Sequence, residues 1–372
     1  MRVLQVYRDY FTSLPGGIER HVHDLAHGLA HLGSQEVVVS SGNDRPGTRE
    51  DGDVTVHYER ELTRINGLPI TPGFVERMRS GFDIIHLHSP HPTAELAFRV
   101  ARHGAKGVLT YHADLDRGPR LSRLHAKLLN ATLASCGRVL VSSERLIERS
   151  AVLRRLRARR PDCLAVVPLG VDTERFSPGP SEAADRLRGA WGREQTVLFV
   201  GRLRRYKGLP HLIGAMRSVP ATLVVVGDGS QRPKVTRLGE QMLGARFHYV
   251  AGVSEAELPD YYRAADVFVL PSTSAAETFG LAILEAMATG LPVVSTEVGT
   301  ATSTTNVHGD TGLVVAPGQE RPLADALRYL LEDPALRARL GQESRKRAVA
   351  HFEREQMLAR VAEIYGQLLA SN

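Results

Sequence analysis

The sequence predicts an α/β protein made of two doubly wound parallel sheets, one in each half of the chain. Short β-branched runs alternate with helix-period segments from end to end, which is the pattern of parallel sheets covered by helices. A stretch rich in proline and glycine breaks that alternation near the middle. With 372 residues, 42% of them hydrophobic, the chain can bury two cores of ordinary domain size.

In the first half the expected strands are Val3 to Val6, Glu36 to Ser40, Asp83 to His88, Val108 to Tyr111, Val139 to Val141 and Ala165 to Val167. In the second half they are Thr196 to Val200, Ala221 to Val226, Phe247 to Val250, Val267 to Leu270 and Pro292 to Ser295, with Gly312 to Val315 as a further candidate. The seam falls in Pro168 to Gly189, where three prolines and three glycines interrupt the periodicity. The boundary is placed near Phe176, giving domains 1–175 and 176–351. In the last segment Met357, Leu358, Val361, Ile364, Tyr365 and Leu368 share one helix face. That helix, about 352–372, packs either on the second domain or back on the first.

The formal net charge of +6 arises from abundant residues of both signs, which describes a mildly basic globular protein and not a polycation. The N-terminus carries no apolar core of signal-peptide length, and no run approaches the ~20 apolar residues of a membrane span. A cytoplasmic location is expected. Two cysteines, Cys136 and Cys163, cannot build a disulfide framework or a four-cysteine zinc site and are read as small buried hydrophobes.

The segment Ser272 to Val294 is the most informative part of the chain. It places Glu277 and Glu285 eight residues apart, with Thr278-Phe279-Gly280 reading as the opening turn of a helix, just after a strand. Open α/β sheets bind ligands at the carboxyl ends of their strands. Amides at a helix N-terminus attract phosphate, and a carboxylate nearby accepts from sugar or ribose hydroxyls. That combination suits a nucleotide sugar. Gly201-Arg202-Leu203 with Lys207-Gly208 follows another strand, and its two cations can clamp a diphosphate and stabilise it as it leaves. Gly227-Asp228-Gly229 is a tight strand-to-helix turn without a complete dinucleotide fingerprint, because Arg232 stands at the last position. In the first half, Leu14-Pro15-Gly16-Gly17-Ile18-Glu19 follows the first strand; Gly16 and Gly17 either let backbone approach a ligand or form a plain turn. Tyr111-His112-Ala113-Asp114 ends a strand, where His112 is either structural or directed at a ligand crevice.

Taken together these motifs resemble the retaining glycosyltransferases of family four, over nearly the whole chain. The strongest match is glutamate-x-seven-glutamate from Glu277 to Glu285; the Gly16 to Glu19 loop, the His112 strand end, the Pro168 to Phe176 seam, and Arg202 with Lys207 support it. The resemblance implies the GT-B fold, two Rossmann-like domains facing a deep cleft. It implies that Gly16 and Gly17 bring backbone to the donor phosphate, that His112 hydrogen-bonds the transferred sugar, and that Gly201, Arg202 and Lys207 form the diphosphate site. Glu277 with the Phe279 and Gly280 amides would bind sugar and phosphate, and Glu285 the ribose. One segment departs from the family pattern. After Val298, where many members read glycine-glycine-x-proline-glutamate, this chain reads Gly299-Thr300-Ala301-Thr302-Ser303, and no catalytic role is assigned there. The threonine-rich form and Tyr111 to Asp114 resemble a subgroup of bacterial polysaccharide mannosyltransferases.

The expected activity is that of a hexosyltransferase with retained anomeric configuration. It would use a GDP- or UDP-linked sugar, with GDP-mannose favoured, and a lipid-linked or glycan acceptor, without a cofactor or an essential metal. Other readings stay open: a GT-B epimerase of nucleotide sugars, or a non-catalytic binder of anionic surfaces. His23, His27 and His31 recur every four residues beside the apolar stripe of the first helix and read as a solvated stripe rather than metal ligands. His86, His88 and His91 cluster at a strand end, with His86 and His88 on one face. Asp114-x-Asp116 imitates the metal-binding acid pair of another glycosyltransferase fold and is treated as coincidence. The basic stretches Arg117 to Lys127 and Arg149 to Arg160 suit either a solvated face or peripheral contact with an anionic membrane; no nucleic-acid reader motif accompanies them.

Overall fold

The computed structural model describes residues 1–10, 16–42, 45–65, 67–101, 104–115, 119–192 and 195–371. The chain forms two compact units, Met1–Pro168 with Met357–Asn372, and Leu169–Gln356. The division at Leu169 comes earlier than the boundary expected near Phe176. Leu169, Val171 and Phe176 are buried in the core of the second unit, and the Val171 N–H donates to the Phe352 carbonyl at 2.8 Å. The broken periodicity of the seam therefore already belongs to the second unit.

The sheet of the first unit contains β1 (Val3–Val6), β2 (Gln35–Ser40), β3 (Gly47–Asp51), β4 (Val54–Glu59), β7 (Ile84–Ser89), β8 (Lys106–Tyr111), β9 (Arg138–Val141) and β10 (Leu164–Val166). Between β4 and β7, β5 (Thr63–Ile65) and β6 (Leu68–Ile70) form a separate two-stranded antiparallel sheet. The main sheet runs β10-β9-β8-β7-β1-β2-β4-β3, and all its pairs are parallel except β3 with β4. The two hairpins are additions to the expected strand list. The residues of β3 and β5 are polar or exposed almost throughout, so no alternating apolar pattern announced them.

Period-two alternation sends the strand side chains to two faces, both covered. Leu4, Val6, Ile85, Leu87, Leu109, Val139 and Val141 pack on one side. On the other, Val3, Ile84, Val108 and Leu140 pack against Leu25 and Leu29 and against Met357, Leu358, Val361, Ile364, Tyr365 and Leu368. The helix Arg354–Ala370 thus covers a face of the first sheet with the stripe read from its sequence. Gly28 faces it where a Cβ would lie 2.3 Å from a Leu358 methyl.

The second unit holds β11 (Thr196–Val200), β12 (Thr222–Val226), β13 (Phe247–Val250), β14 (Val267–Leu270), β15 (Val293–Thr296) and β16 (Gly312–Val315). Its sheet is parallel throughout, in the order β13-β12-β11-β14-β15-β16. Counted from its own first strand, that is the 3-2-1-4-5-6 order of a doubly wound Rossmann sheet. β11, β12, β14 and β15 are buried at every position, as strands covered on both faces must be.

Candidate functional site

In the second sheet the strand order reverses between β11 and β14, and the loops after these two strands open at their carboxyl ends. Physical reasoning alone places a ligand site there. The loop after β11 carries Gly201, Arg202 and Lys207, and the loop after β14 carries Ser272, Glu277, Phe279 and Gly280. The two are joined. Lys207 Nζ lies 2.5 Å from Glu277 Oε2, and Ser272 Oγ donates to the same oxygen at 2.9 Å. The Thr273 N–H donates to the Tyr206 carbonyl at 2.7 Å. Gly208, with φ +71°, closes the first loop so tightly that a Cβ there would sit 2.0 Å from the Pro271 carbonyl oxygen. The loop after β12 is tied in as well, since the Leu203 N–H donates to the Asp228 carbonyl at 2.8 Å and a Cβ on Gly227 would meet the Gly201 carbonyl at 2.1 Å.

Lys207 and Glu277 are both buried. Burial alone would lower the Lys207 pKa, but the Glu277 carboxylate outweighs it and holds the ammonium above the ordinary lysine value, with the Arg202 charge opposing. Burial, with Glu277, also raises the Tyr206 phenol. Gly201, at φ +150°, leaves the ammonium side open; a Cβ there would sit 3.7 Å from Lys207 Nζ. Gly280, at φ +82°, is the N-cap of the helix Leu281–Ala288 and has no side-chain cap. Phe279 turns its ring into the core, 6.1 Å from the Phe352 ring. Glu285 is on that helix, buried, and accepts from the Tyr262 hydroxyl at 2.5 Å.

The threonine-rich segment supports this site structurally. Thr300 Oγ1 donates to the Glu277 carbonyl at 2.7 Å, and the Ala301 N–H to the Thr278 carbonyl at 3.1 Å. Ser272, Tyr262 and Thr300 were not singled out in the sequence. Ser272 stands two residues past the end of β14 and was visible in principle. Tyr262 and Thr300 reach the site only through the fold.

In the first unit the order reverses between β1 and β7, and His112 follows β8. Gly16 is the N-cap of the helix Gly17–Gly28, with Gly17 exposed, while Leu14 and Pro15 of the same motif lie outside the described residues. The parallel register sets Gln5 beside His86, and His88 beside Thr110, on one face. A buried chain results. His112 Nε2 lies 3.1 Å from His88 Nδ1, and His88 Nε2 lies 2.9 Å from Gln5 Oε1. Gln5 Nε2 donates to the Tyr365 hydroxyl at 3.2 Å, which is 2.6 Å from His86 Nδ1; His86 Nε2 is 2.7 Å from Thr110 Oγ1. Burial keeps His88 and His112 well below the usual imidazole value, and lowers His21 to about 4 and His86 to about 3.

These imidazoles are therefore neutral near pH 7, which fixes the tautomers. The Gln5 oxygen only accepts, so His88 Nε2 carries the proton and His88 Nδ1 accepts from His112 Nε2–H. His112 Nδ1 is left as an acceptor suited to a hydroxyl. His21, His88 and His112 come close enough to hold a metal ion, but all three are buried, which closes them to an ion from solvent.

Three sequence readings are adjusted. His23 and His27 are not a simply solvated stripe, because both approach Asp51. Asp114 accepts from the Tyr111 hydroxyl and from Ser150 Oγ and has a structural role; Asp116 lies outside the described residues, as does Arg117 of the basic stretch. Arg160 is partly committed to structure, donating to the Leu133, Ala134 and Cys136 carbonyls at the C-terminal end of the helix Pro119–Ser135.

Comparison with known proteins gives the class. Residues 15–175 match the family model "Glycosyltransferase Family 4" and residues 184–347 match "Glycosyl transferases group 1". The chain is 29% identical to the O-antigen chain mannosyltransferase C of Escherichia coli, with 100% of each chain covered. It is 28% identical to a D-rhamnosyltransferase of Pseudomonas aeruginosa, over 93% of this chain and 91% of the relative. Among solved structures, sucrose-phosphate synthase from Thermosynechococcus elongatus superposes with a TM-score of 0.84 at 25% identity, over 100% of both chains. The fold is GT-B, two Rossmann-like α/β domains. The chain belongs to glycosyltransferase family 4.

Proposed function

We propose that the protein is a retaining hexosyltransferase of cell-surface polysaccharide synthesis, taking mannose from GDP-mannose to a lipid-linked or glycan acceptor. The observation that carries this reading is the buried Lys207–Glu277 pair at the reversal point of the second sheet, beside the uncapped turn at Gly280. Arg202 and Lys207 hold the diphosphate, and the Phe279 and Gly280 amides add donors to it. Glu277 orients the sugar and Glu285 the ribose hydroxyls. His112 accepts from a hydroxyl of the transferred sugar through Nδ1.

In the reaction the acceptor oxygen bonds to the anomeric carbon while the bond from that carbon to the β-phosphate oxygen breaks. The acceptor proton passes to the departing phosphate on the same face, so configuration is retained. Lys207 and Arg202 offset the charge that gathers on the leaving group. No covalent glycosyl-enzyme forms in this scheme, and none of these steps uses a metal. The rhamnosyl relative makes D-rhamnose, a 6-deoxyhexose, the second candidate for the transferred sugar.

Among the described residues no helix is long and apolar enough to cross a membrane. Leu124 is 65% exposed beside the exposed Arg123 and Lys127, which supports a peripheral place on the cytoplasmic membrane face.

A melting-temperature panel of GDP, UDP, ADP and dTDP, followed by product analysis with and without glycan acceptor, tests the reading. GDP is expected to stabilise most, since a ligand that binds only the native state must raise the melting temperature. Stabilisation by none of the four, or donor turnover to an epimer without an acceptor, would overturn it.

A further inference from the structure

His23 and His27 lie one turn apart on the helix Gly17–Gly28, with ring centroids 4.2 Å from each other. Asp51 ends β3, the strand that sequence patterning did not announce, and its carboxylate meets both rings. His27 Nε2 is 3.1 Å from Asp51 Oδ2 and His23 Nε2 is 4.0 Å from the same oxygen. The Tyr10 hydroxyl completes the group, 2.9 Å from Asp51 Oδ2 and 3.2 Å from His27 Nε2. The turn after β3 packs closely here, since a Cβ on Gly52 would lie 3.6 Å from His27 Cε1.

We propose that His23, His27 and Asp51 form a binding site for a divalent transition-metal ion, with zinc the best fit. One ligand atom from each of the three lies within 4.8 Å of the others. A tetrahedral ion with bonds of about 2.0–2.2 Å holds its ligand atoms roughly 3.3–3.6 Å apart, a range bracketed by the 3.1 Å and 4.0 Å that separate Asp51 Oδ2 from His27 Nε2 and His23 Nε2. Two imidazoles and one carboxylate favour zinc, nickel or copper over magnesium or calcium, which prefer all-oxygen shells. Two histidines one turn apart present their nitrogens to a common point, as in helical zinc sites. A water, or the Tyr10 oxygen, can take the fourth position. All ligands are only half-buried, so an ion can enter from solvent.

The consequence is structural. The ion would tie the helix that starts at Gly17 to the β3 edge, and through Asp51 to Tyr10. The site belongs to the first unit and does not involve Lys207 or Glu277, so it takes no part in the proposed transfer step.

The test is zinc titration of the untagged, chelator-stripped full chain against a chromophoric competitor, with cobalt as a spectroscopic probe. One equivalent is expected, with a visible cobalt absorption of tetrahedral type. His23→Asn, His27→Asn and Asp51→Asn should each weaken zinc by at least ~100-fold, since even outer partners of a metal ligand cost roughly 10–100-fold when removed. His31→Asn should bind as the parent does, and melting of the metal-free variants confirms that they are folded. Zinc should raise the melting temperature of the parent but not of Asp51→Asn. The proposal is overturned if the parent binds no stoichiometric zinc, if folded Asp51→Asn binds as tightly as the parent, or if His21→Phe abolishes binding while the three variants keep it. None of these readouts depends on glycosyl transfer.

Discussion

Lys207 and Glu277 are 70 residues apart in sequence and form a buried ion pair. Removing one member strands the other without its counter-charge, which costs about 3–5 kcal/mol. Lys207→Ala should therefore destabilise the second unit on that scale. It should also reduce kcat by at least ~100-fold, the cost of losing one preorganised donor to a developing charge. An unchanged melting temperature together with a kcat loss under about threefold would assign the lysine to the surface chemistry of the loop. Glu285→Ala should weaken nucleotide binding more than it disturbs folding, and equal donor affinity in titration would refute the ribose role. Tyr262→Phe, which removes the hydroxyl facing Glu285, should cost about 1.5–3 kcal/mol of stability.

The histidines of the first unit give a pH dependence whose sign is fixed. His21 titrates near 4 in the folded protein because burial disfavours its charge, against about 6.5 in the unfolded chain. The unfolded state then binds more protons between these values, so stability present above about 6.5 is lost as pH falls toward about 4. His21→Phe should flatten that loss by about 1.4 kcal/mol per pH unit in urea unfolding followed over the interval. An unaltered slope would mean that His21 is solvated in the native state.

At the scale of elements, the glycine turns decide whether the site loops can meet. Gly208 and Gly309 both have left-handed backbones, with φ of +71° and +80°. An added Cβ on Gly309 meets nothing within 4 Å, whereas on Gly208 it strikes the Pro271 carbonyl. Gly309→Ala should cost about 1–2 kcal/mol from backbone strain alone. Gly208→Ala should cost clearly more and lower activity as well, and equal melting temperatures for the two variants would contradict the close approach of these loops. Elements also mark what could be read in advance. The buried parallel strands were legible because apolar runs such as Leu223 to Val226 have little other use. The β3 strand was not, since Gly47–Asp51 is exposed on all but its last residue and owes its conformation to pairing with β4. Glu277, Lys207 and the turn between them and their neighbours could be placed at strand ends from local pattern. The Asp51 partner of His23 and His27, and the Tyr262 partner of Glu285, could not, because only tertiary packing brings them there.

For the whole molecule, the return of the chain to its first unit is decisive. Met357 to Leu368 bury six large side chains against Val3, Leu25, Leu29, Ile84, Val108 and Leu140. A chain ended at Gln356 would leave that apolar face open, and it should bind a hydrophobic dye and aggregate while the second unit melts as before. A soluble, cooperatively melting first unit from that truncation would show the return helix to be dispensable.

Tyr365, from this helix, hydrogen-bonds Gln5 and His86 at the heart of the first sheet. On the ribosome, then, Met1–Pro168 cannot finish assembling until the helix that carries Tyr365 has been made. At roughly 5–20 residues per second, the intervening Leu169–Gln356 imposes a wait of about 10–40 s. Throughout that interval a half-clad sheet is exposed to whatever it meets, which makes this nascent chain a natural client for chaperones and ties the order of its birth to the yield of its fold.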